Sequence, residues 1–163
     1  DPITSTLIST ILGSHIESVN MVNATQIAQS RGIEIKQSYN EDAKNWRSMI
    51  NVIVTTDERV RNVTGTLFTG KEPRIVNIEG VPIEVALQPN MIFIRNDDKP
   101  GMIGELGTLL GQEDVNVADF RLGRKDNVSG AICLVALDAP VSDELFKKIQ
   151  AQSQIKSVKR LNF

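Results

Sequence analysis

From Thr4 to Leu12 the apolar residues Leu7, Ile8, Ile11 and Leu12 recur at helical spacing, and Gly13 follows where a left-handed residue closes a helix. The pattern predicts a first helix there. A second is predicted over Ala24 to Ser30, capped by Asn23, with Ile27 and Ala28 turned inward and Arg31-Gly32 as its stop. At Ile33 to Tyr39 the period changes: Ile33 and Ile35 alternate with Glu34 and Lys36, as in a half-buried strand. Between Trp46 and Ala86, β-branched runs alternate with turn residues. Met49 to Val54, Val60 to Phe68, Arg74 to Ile78 and Val81 to Val85 read as antiparallel strands, joined at Thr56-Asp57-Glu58, Thr69 to Pro73 and Glu79-Gly80. Residues 1–87 are expected to form one small α+β domain, with the short polar Gln88-Pro89-Asn90 as its boundary.

The remainder, 91–163, has a different rhythm. Met91-Ile92-Phe93-Ile94 is an apolar strand, and Arg95 to Pro100 a polar loop. Met102, Ile103, Leu106, Leu109 and Leu110 form a helical stripe opposite Glu105, Thr108 and Gln112. Asn116 to Gly123 and Val128 to Leu137 read as strands around the turn Lys125-Asp126-Asn127. Ser142 caps a helix carrying Leu145, Phe146 and Ile149, and Ile155 to Leu161 is a last strand. The order β-α-β-β-α-β is the split βαβ, or ferredoxin-like, arrangement: four antiparallel strands with both helices on one face. The expected fold class is therefore α+β.

Charge and composition narrow the function classes. The 18 basic and 20 acidic residues are scattered and nearly cancel, so there is no basic footprint for nucleic acid. No apolar run approaches the roughly 20 residues that cross a bilayer, and Asp1-Pro2-Ile3-Thr4 lacks the features of a signal peptide. Cys133, the single cysteine, sits in the apolar run Ala131 to Val135 and reads as a buried reduced thiol suited to the cytosol. A start without methionine points to a piece of a longer chain.

Most catalytic patterns fail on inspection. Gly65 to Lys71 has the glycine and lysine spacing of a phosphate-binding loop, but Glu72 replaces the hydroxyl residue that holds magnesium, and no helix follows. Gly101, Gly104 and Gly107 follow a strand and open a helix, yet their spacing lacks the close glycine pair of a dinucleotide fingerprint. The one histidine, His15, has no cysteine or second histidine with which to form a metal cluster. Asp97 and Asp98 are adjacent loop carboxylates that point apart rather than work as an acid/base pair.

One constellation survives: Asn96 to Gly101 in front of a helix, and Asn116 at the start of the next strand. Pro100 pre-sets the backbone, and Gly101 permits close approach. First-turn amides of Met102 and Ile103 suit an amino acid's carboxylate, Asp98 suits its ammonium group, and Asn116 offers donor and acceptor. An ordinary capped helix explains the same residues, and chemistry alone slightly favours it.

Asn96 to Gly101, the helix through Gly111 and Val115-Asn116-Val117 resemble the ACT domain, in particular that of the phosphoglycerate dehydrogenase family. Upstream, Val19 to Ala24, Ala28 to Ile33, Gly65-Thr66-Leu67 and Ile75 to Gly80 resemble that family's intervening, or allosteric substrate binding, domain. The two unrelated blocks stand in the right order and cover nearly the whole chain. The resemblance implies a non-catalytic, cytoplasmic regulatory fragment of an NAD-dependent enzyme of L-serine biosynthesis. The NAD site and catalytic domains, together with the first strand of the intervening domain, are then expected before residue 1, leaving no cofactor in the fragment. It further implies ACT domains paired edge to edge in a homo-oligomer, with L-serine or a similar small amino acid bound at the interface as a feedback inhibitor. Carried onto this sequence, the effector positions are Asn96, Asp98, Pro100, Gly101, Met102, Ile103 and Asn116. Asparagine at position 96 departs from the aromatic or histidine side chain frequent in relatives. Of the basic cluster that forms an anion site in the intervening domain, only Arg74 is matched, with Val81 and Ala86 where arginines are expected.

Two other readings use the same residues. One is a ligand-independent oligomerisation scaffold, motivated by Asn96; the other is the regulatory module of an L-serine dehydratase, which has similar domains.

Overall fold

A computed structural model describes residues 1–40, 46, 48–126 and 129–163. The chain divides into two compact units, Asp1–Asp42 and Ala43–Phe163.

In the first unit, helix α1 spans Pro2–Gly13 and helix α2 spans Ala24–Ser30. Asp1 caps α1, its carboxylate accepting from the Ile3 amide at 2.9 Å, and Pro2 occupies the first turn, where a missing N–H costs nothing. Ala24 and Ala28, one turn apart, are fully buried on α2. Asn23 holds the position before α2 but does not cap it through its side chain. Its Oδ1 instead accepts from the Asn20 amide at 2.8 Å and its Nδ2 donates to the Ser18 carbonyl at 2.9 Å, closing the preceding turn. Gly32 follows at φ +73, the left-handed conformation that ends the helix. The strand expected over Ile33 to Tyr39 is absent: the segment carries no regular structure, and Ile33 is 42% exposed. Alternation makes a strand only where a neighbour pairs with it, and among the described residues none does.

The second unit holds two four-stranded antiparallel sheets. In the first, β1 (Met49–Thr55), β2 (Val60–Phe68), β3 (Glu72–Ile78) and β4 (Val81–Ala86) lie in sequence order. Thr69 and Gly70, then Glu79 and Gly80, take positive φ, as tight hairpin turns with the hand of the strand twist require. The segment with phosphate-loop spacing is thus the end of β2 and a hairpin turn.

The second sheet comprises β5 (Asn90–Asn96), β6 (Val117–Arg124), β7 (Ala131–Leu137) and β8 (Ile155–Asn162) in the order β6-β7-β5-β8, with α3 (Met102–Gln112) and α4 (Asp143–Gln150) between its strands. This is the ferredoxin-like arrangement. The hydroxyl of Ser142 accepts from the Leu145 amide at 3.1 Å, capping α4 as expected. Two boundaries differ from the sequence reading. β5 continues through Arg95 and Asn96 instead of stopping at Ile94, because both residues keep partners on β7 and β8. β7 begins at Ala131; Asn127 and Val128, read as turn and strand, lie outside the described residues.

Both faces of this sheet are covered. Ile92, Ile94, Cys133 and Val135 pack against Met102, Leu106 and Leu110 of α3 and Leu145 and Ile149 of α4. Met91, Ile132, Leu134 and Ala136 pack against Ile78 of β3 and Ile83 and Val85 of β4. Ile103, placed on the helical stripe by its apolar character, is 53% exposed. The buried line is Met102, Leu106 and Leu110 at four-residue spacing, and Ile103 is rotated off it by about 100°. Glu79, at the β3–β4 hairpin, accepts from Arg61 at 2.7 Å and from Arg95 of β5 at 2.8 Å, tying one sheet to the other.

Gly123 marks a close approach between the sheets: a Cβ there would stand 2.7 Å from Val81 Cγ1 and 3.1 Å from the Pro82 carbonyl. Gly123→Ala is therefore expected to lower the unfolding free energy by about 1–3 kcal/mol, as overpacking does. Urea denaturation measures it, with the solvent-facing Gly107→Ala, which meets nothing within 4 Å, as a control that is not destabilised.

Candidate functional site

The positions expected to hold an effector fall at two places on the second sheet. Asn96, Asp98, Pro100, Gly101, Met102 and Ile103 are contiguous where β5 runs into α3. Asn116 precedes β6, beside the far ends of β7 and β5, since Val117 pairs with Leu137 and Met91 with Ala136. An extended strand from Asn116 to Arg124 covers roughly 25 Å, so within one chain Asn116 cannot share a small ligand with Asp98.

At the β5–α3 junction the backbone is closely held. The Asp97 amide donates to the Gln154 carbonyl at 2.8 Å, and the Lys99 amide to the Asp97 carbonyl at 2.9 Å. Gly101 adopts φ +101 and ψ −28 at the N-cap of α3, a conformation in which a side chain would be strained, and no side chain caps the helix there. Glu105 is the residue whose amide bonds back to the Gly101 carbonyl, at 2.9 Å. The amides of Met102 and Ile103 lie ahead of it, in the turn whose donors a helix leaves unpaired. Ile103 itself projects outward, while Met102 is buried in the core.

Asn96 is 2% exposed. Its Nδ2 donates to the Asp97 carbonyl at 2.7 Å, and its Oδ1 accepts from the Cys133 thiol at 3.5 Å. The side chain that the sequence marks as a ligand contact is thus turned inward and already engaged. Asp98 is paired with Arg124, whose Nε donates to the carboxylate at 2.9 Å. Their side chains are 38% and 63% exposed, so the pair is open to solvent and to a charged ligand. Asn116 donates through Nδ2 to Asp138 at 2.8 Å, with the Asp138 amide returning a bond to its carbonyl at 3.1 Å.

Two residues at the junction escape a sequence reading. Arg124 is one of several basic residues around the β6–β7 turn, and only the fold brings it to Asp98. Gln154 donates to the Pro100 carbonyl at 3.4 Å while its buried Oε1 finds no hydrogen-bond partner among the described residues. Among the described residues no cluster of three or more histidine, cysteine, aspartate or glutamate side chains is arranged to hold a metal ion.

Arg74, the candidate anion contact, lies on β3 opposite Ala86. Its guanidinium donates to Glu84 at 2.8 Å, approaches Glu72 at 3.6 Å and stacks 4.5 Å over the Phe68 ring. The guanidinium is thus already engaged by two carboxylates and an aromatic ring.

Residues 1–79 match the family described as the D-3-phosphoglycerate dehydrogenase intervening domain, and residues 90–154 match the ACT domain. The chain is similar to the D-3-phosphoglycerate dehydrogenase of Bacillus subtilis, at 32% identity over 98% of this chain and 31% of that one. The Synechocystis enzyme of the same name is 34% identical over 82% of this chain and 24% of its own length. That of Methanocaldococcus jannaschii is 29% identical over 96% of this chain and 29% of its own. The chain thus spans no more than a third of the curated relatives it matches.

The buried Cys133 thiol gives a test of how closed the core beneath the junction is. Burial pushes it up to about 12; Arg124 opposes this with a smaller lowering, and Asp98 adds a smaller raise. The folded value lies above the unfolded thiol's, about 8.5. The stabilisation is therefore complete below the unfolded value and is lost as pH climbs toward the folded one. Two results are expected: no alkylation by iodoacetamide at neutral pH unless the chain is unfolded, and a loss of stability at alkaline pH that is smaller in Cys133→Val. Titrated urea midpoints for both chains check the second.

Proposed function

We propose that the chain is a non-catalytic regulatory region of a phosphoglycerate dehydrogenase, sensing L-serine, on the strength of its similarity to that family's intervening domain and to the ACT domain. The full-length enzyme is then an NAD-dependent dehydrogenase of serine synthesis in the cytoplasm, and its end product acts on this region. The observation that carries the reading is the division of the effector residues between the two ends of one exposed edge strand.

Among the described residues β6 is an outer strand of its sheet and pairs only with β7. When such a strand pairs antiparallel with its own copy about a two-fold axis, the start of one β6 meets the end of the other. That brings Asn116 of one copy to the junction of the second, where Asp98 and the α3 amides lie. Each protomer supplies half of a site, and a dimer holds two. An amino acid fits the halves: its carboxylate on the Met102 and Ile103 amides, its ammonium group on Asp98, and Asn116 on the remaining polar atoms. Binding across the seam favours one arrangement of the paired domains over others, which is the differential affinity that regulation at a distance needs.

A second reading draws on the inward-turned Asn96 and the Asp98–Arg124 pair, both of which are satisfied without any ligand. Under it the ACT domain is a ligand-independent scaffold that holds subunits together.

Isothermal titration of L-serine into the chain separates the two, with D-serine and L-alanine as controls. The sensor reading expects selective heat that Asp98→Ala and Asn116→Ala each reduce by about tenfold or more in affinity, as losing a charged or doubly bonded contact does. An absence of heat, together with a thermal midpoint unmoved by serine and assembly unchanged in both variants, supports the scaffold instead.

A further inference from the structure

The second sheet has two outer strands, and their charges differ. β8 carries Lys156, Lys159 and Arg160 and no acidic residue. A two-fold pairing of β8 with its copy would line cations against cations, the device by which natural edge strands refuse partners. β6 carries Asp119 and Arg121 around Phe120 on a regular ladder with β7, since the irregularity in that pairing lies before Asp119. Asp119 and Arg121 share one face of the sheet and already touch within the chain, Nε to Oδ2 at 3.0 Å.

Parity then limits the choices. Along an outer strand, the residues that point their N–H and C=O outward alternate. Two copies of one strand can therefore pair about a two-fold axis only in registers that place some residue directly opposite itself. With Arg121 on the axis, arginine faces arginine; with Asp119 on the axis, carboxylate faces carboxylate. With Phe120 on the axis, Asp119 of each copy faces Arg121 of the other, and Leu122 faces Ala118. Centring on Ala118 or Leu122 sets Arg121 opposite the uncharged Val115 or Gly123, so the Phe120 register alone pairs both charged residues with opposite charges, which is stabilising where like charges directly opposed are not.

We infer that a second copy of this chain adds to β6 with Phe120 opposite Phe120, held in that register by reciprocal Asp119 and Arg121 pairs. Its consequence reaches the site. The same register carries Asn116, which stands just before the irregular start of β6, to the level of Arg124 on the other copy. Arg124 is the residue that holds Asp98. The inference rests on the edge-to-edge reading proposed above and adds the alignment that decides which residues meet.

Sedimentation equilibrium on the 163-residue chain tests it. Asp119→Arg and Arg121→Asp are each expected to weaken the dimer by about tenfold or more, because each sets like charges opposite one another at both symmetric contacts. The double exchange D119R/R121D restores opposite charges and is expected to return the dissociation constant to within about threefold of the starting chain. Single variants that dimerise as tightly as the starting chain, or a double exchange as weak as the singles, overturn the register while leaving edge pairing intact. A starting chain that sediments as a monomer defeats the pairing itself, and the register with it. Cross-linking gives a second measurement if a charge variant folds poorly. Chains bearing Asp119→Cys and Arg121→Cys should form a mixed disulfide with each other and little with themselves, since directly opposed residues lie within disulfide reach. Self-linked dimers of either variant alone contradict the register.

Discussion

β7 has no exposed residue: Cys133, Val135 and Leu137 lie against the two helices, while Ile132, Leu134 and Ala136 lie against β3 and β4. A strand buried on both faces commits its whole sheet to the interior, and roughly 25 cal/mol for each Å² of apolar surface removed from water favours keeping it there. What remains for recognition is the perimeter of the sheet: its outer strands and its two ends. Several of the residues singled out for function are found there, while Asn96 is turned inward and Arg74 lies on the other sheet. Asp98 and the first turn of α3 occupy one end, Asn116 the other, and β6 the margin that joins them.

That constraint also explains why the site is divided. A ligand the size of an amino acid cannot span the sheet along β6, and neither sheet face is open to it. In the proposed arrangement the two polar ends meet when a second copy pairs antiparallel along β6 about a two-fold axis. A ligand bound across such a pair, as proposed, couples binding to assembly, because its contacts then belong to different chains.

Much of this architecture was legible in one dimension because hydrophobic period reports burial directly. The second sheet is the clearest case, with Met91 to Ile94, the Met102, Leu106 and Leu110 line, and the Ser142 cap all where the pattern placed them. The misreadings share a cause: each depended on a neighbour distant in sequence. Ile33 and Ile35 alternate correctly but meet no partner strand among the described residues. Asn96 looks like a loop residue until its inward side chain finds Cys133, a residue of the adjacent strand. Arg124 gives no signal at all before the fold carries it to Asp98. The candidate effector residues were singled out by type, but their separation along β6 became visible only from the strand register.

Mixing two defective chains is the most direct test that the site is shared between copies. A chain bearing Asp98→Ala and another bearing Asn116→Ala would be refolded together, and L-serine binding compared with that of each alone. If the halves come from different protomers, the mixed dimer contains one site with Asp98 and Asn116 both intact, and binding returns at the affinity of the unmodified chain. If serine binding is present in the unmodified chain but the mixture binds no better than its components, both residues act within a single protomer and the shared site is wrong.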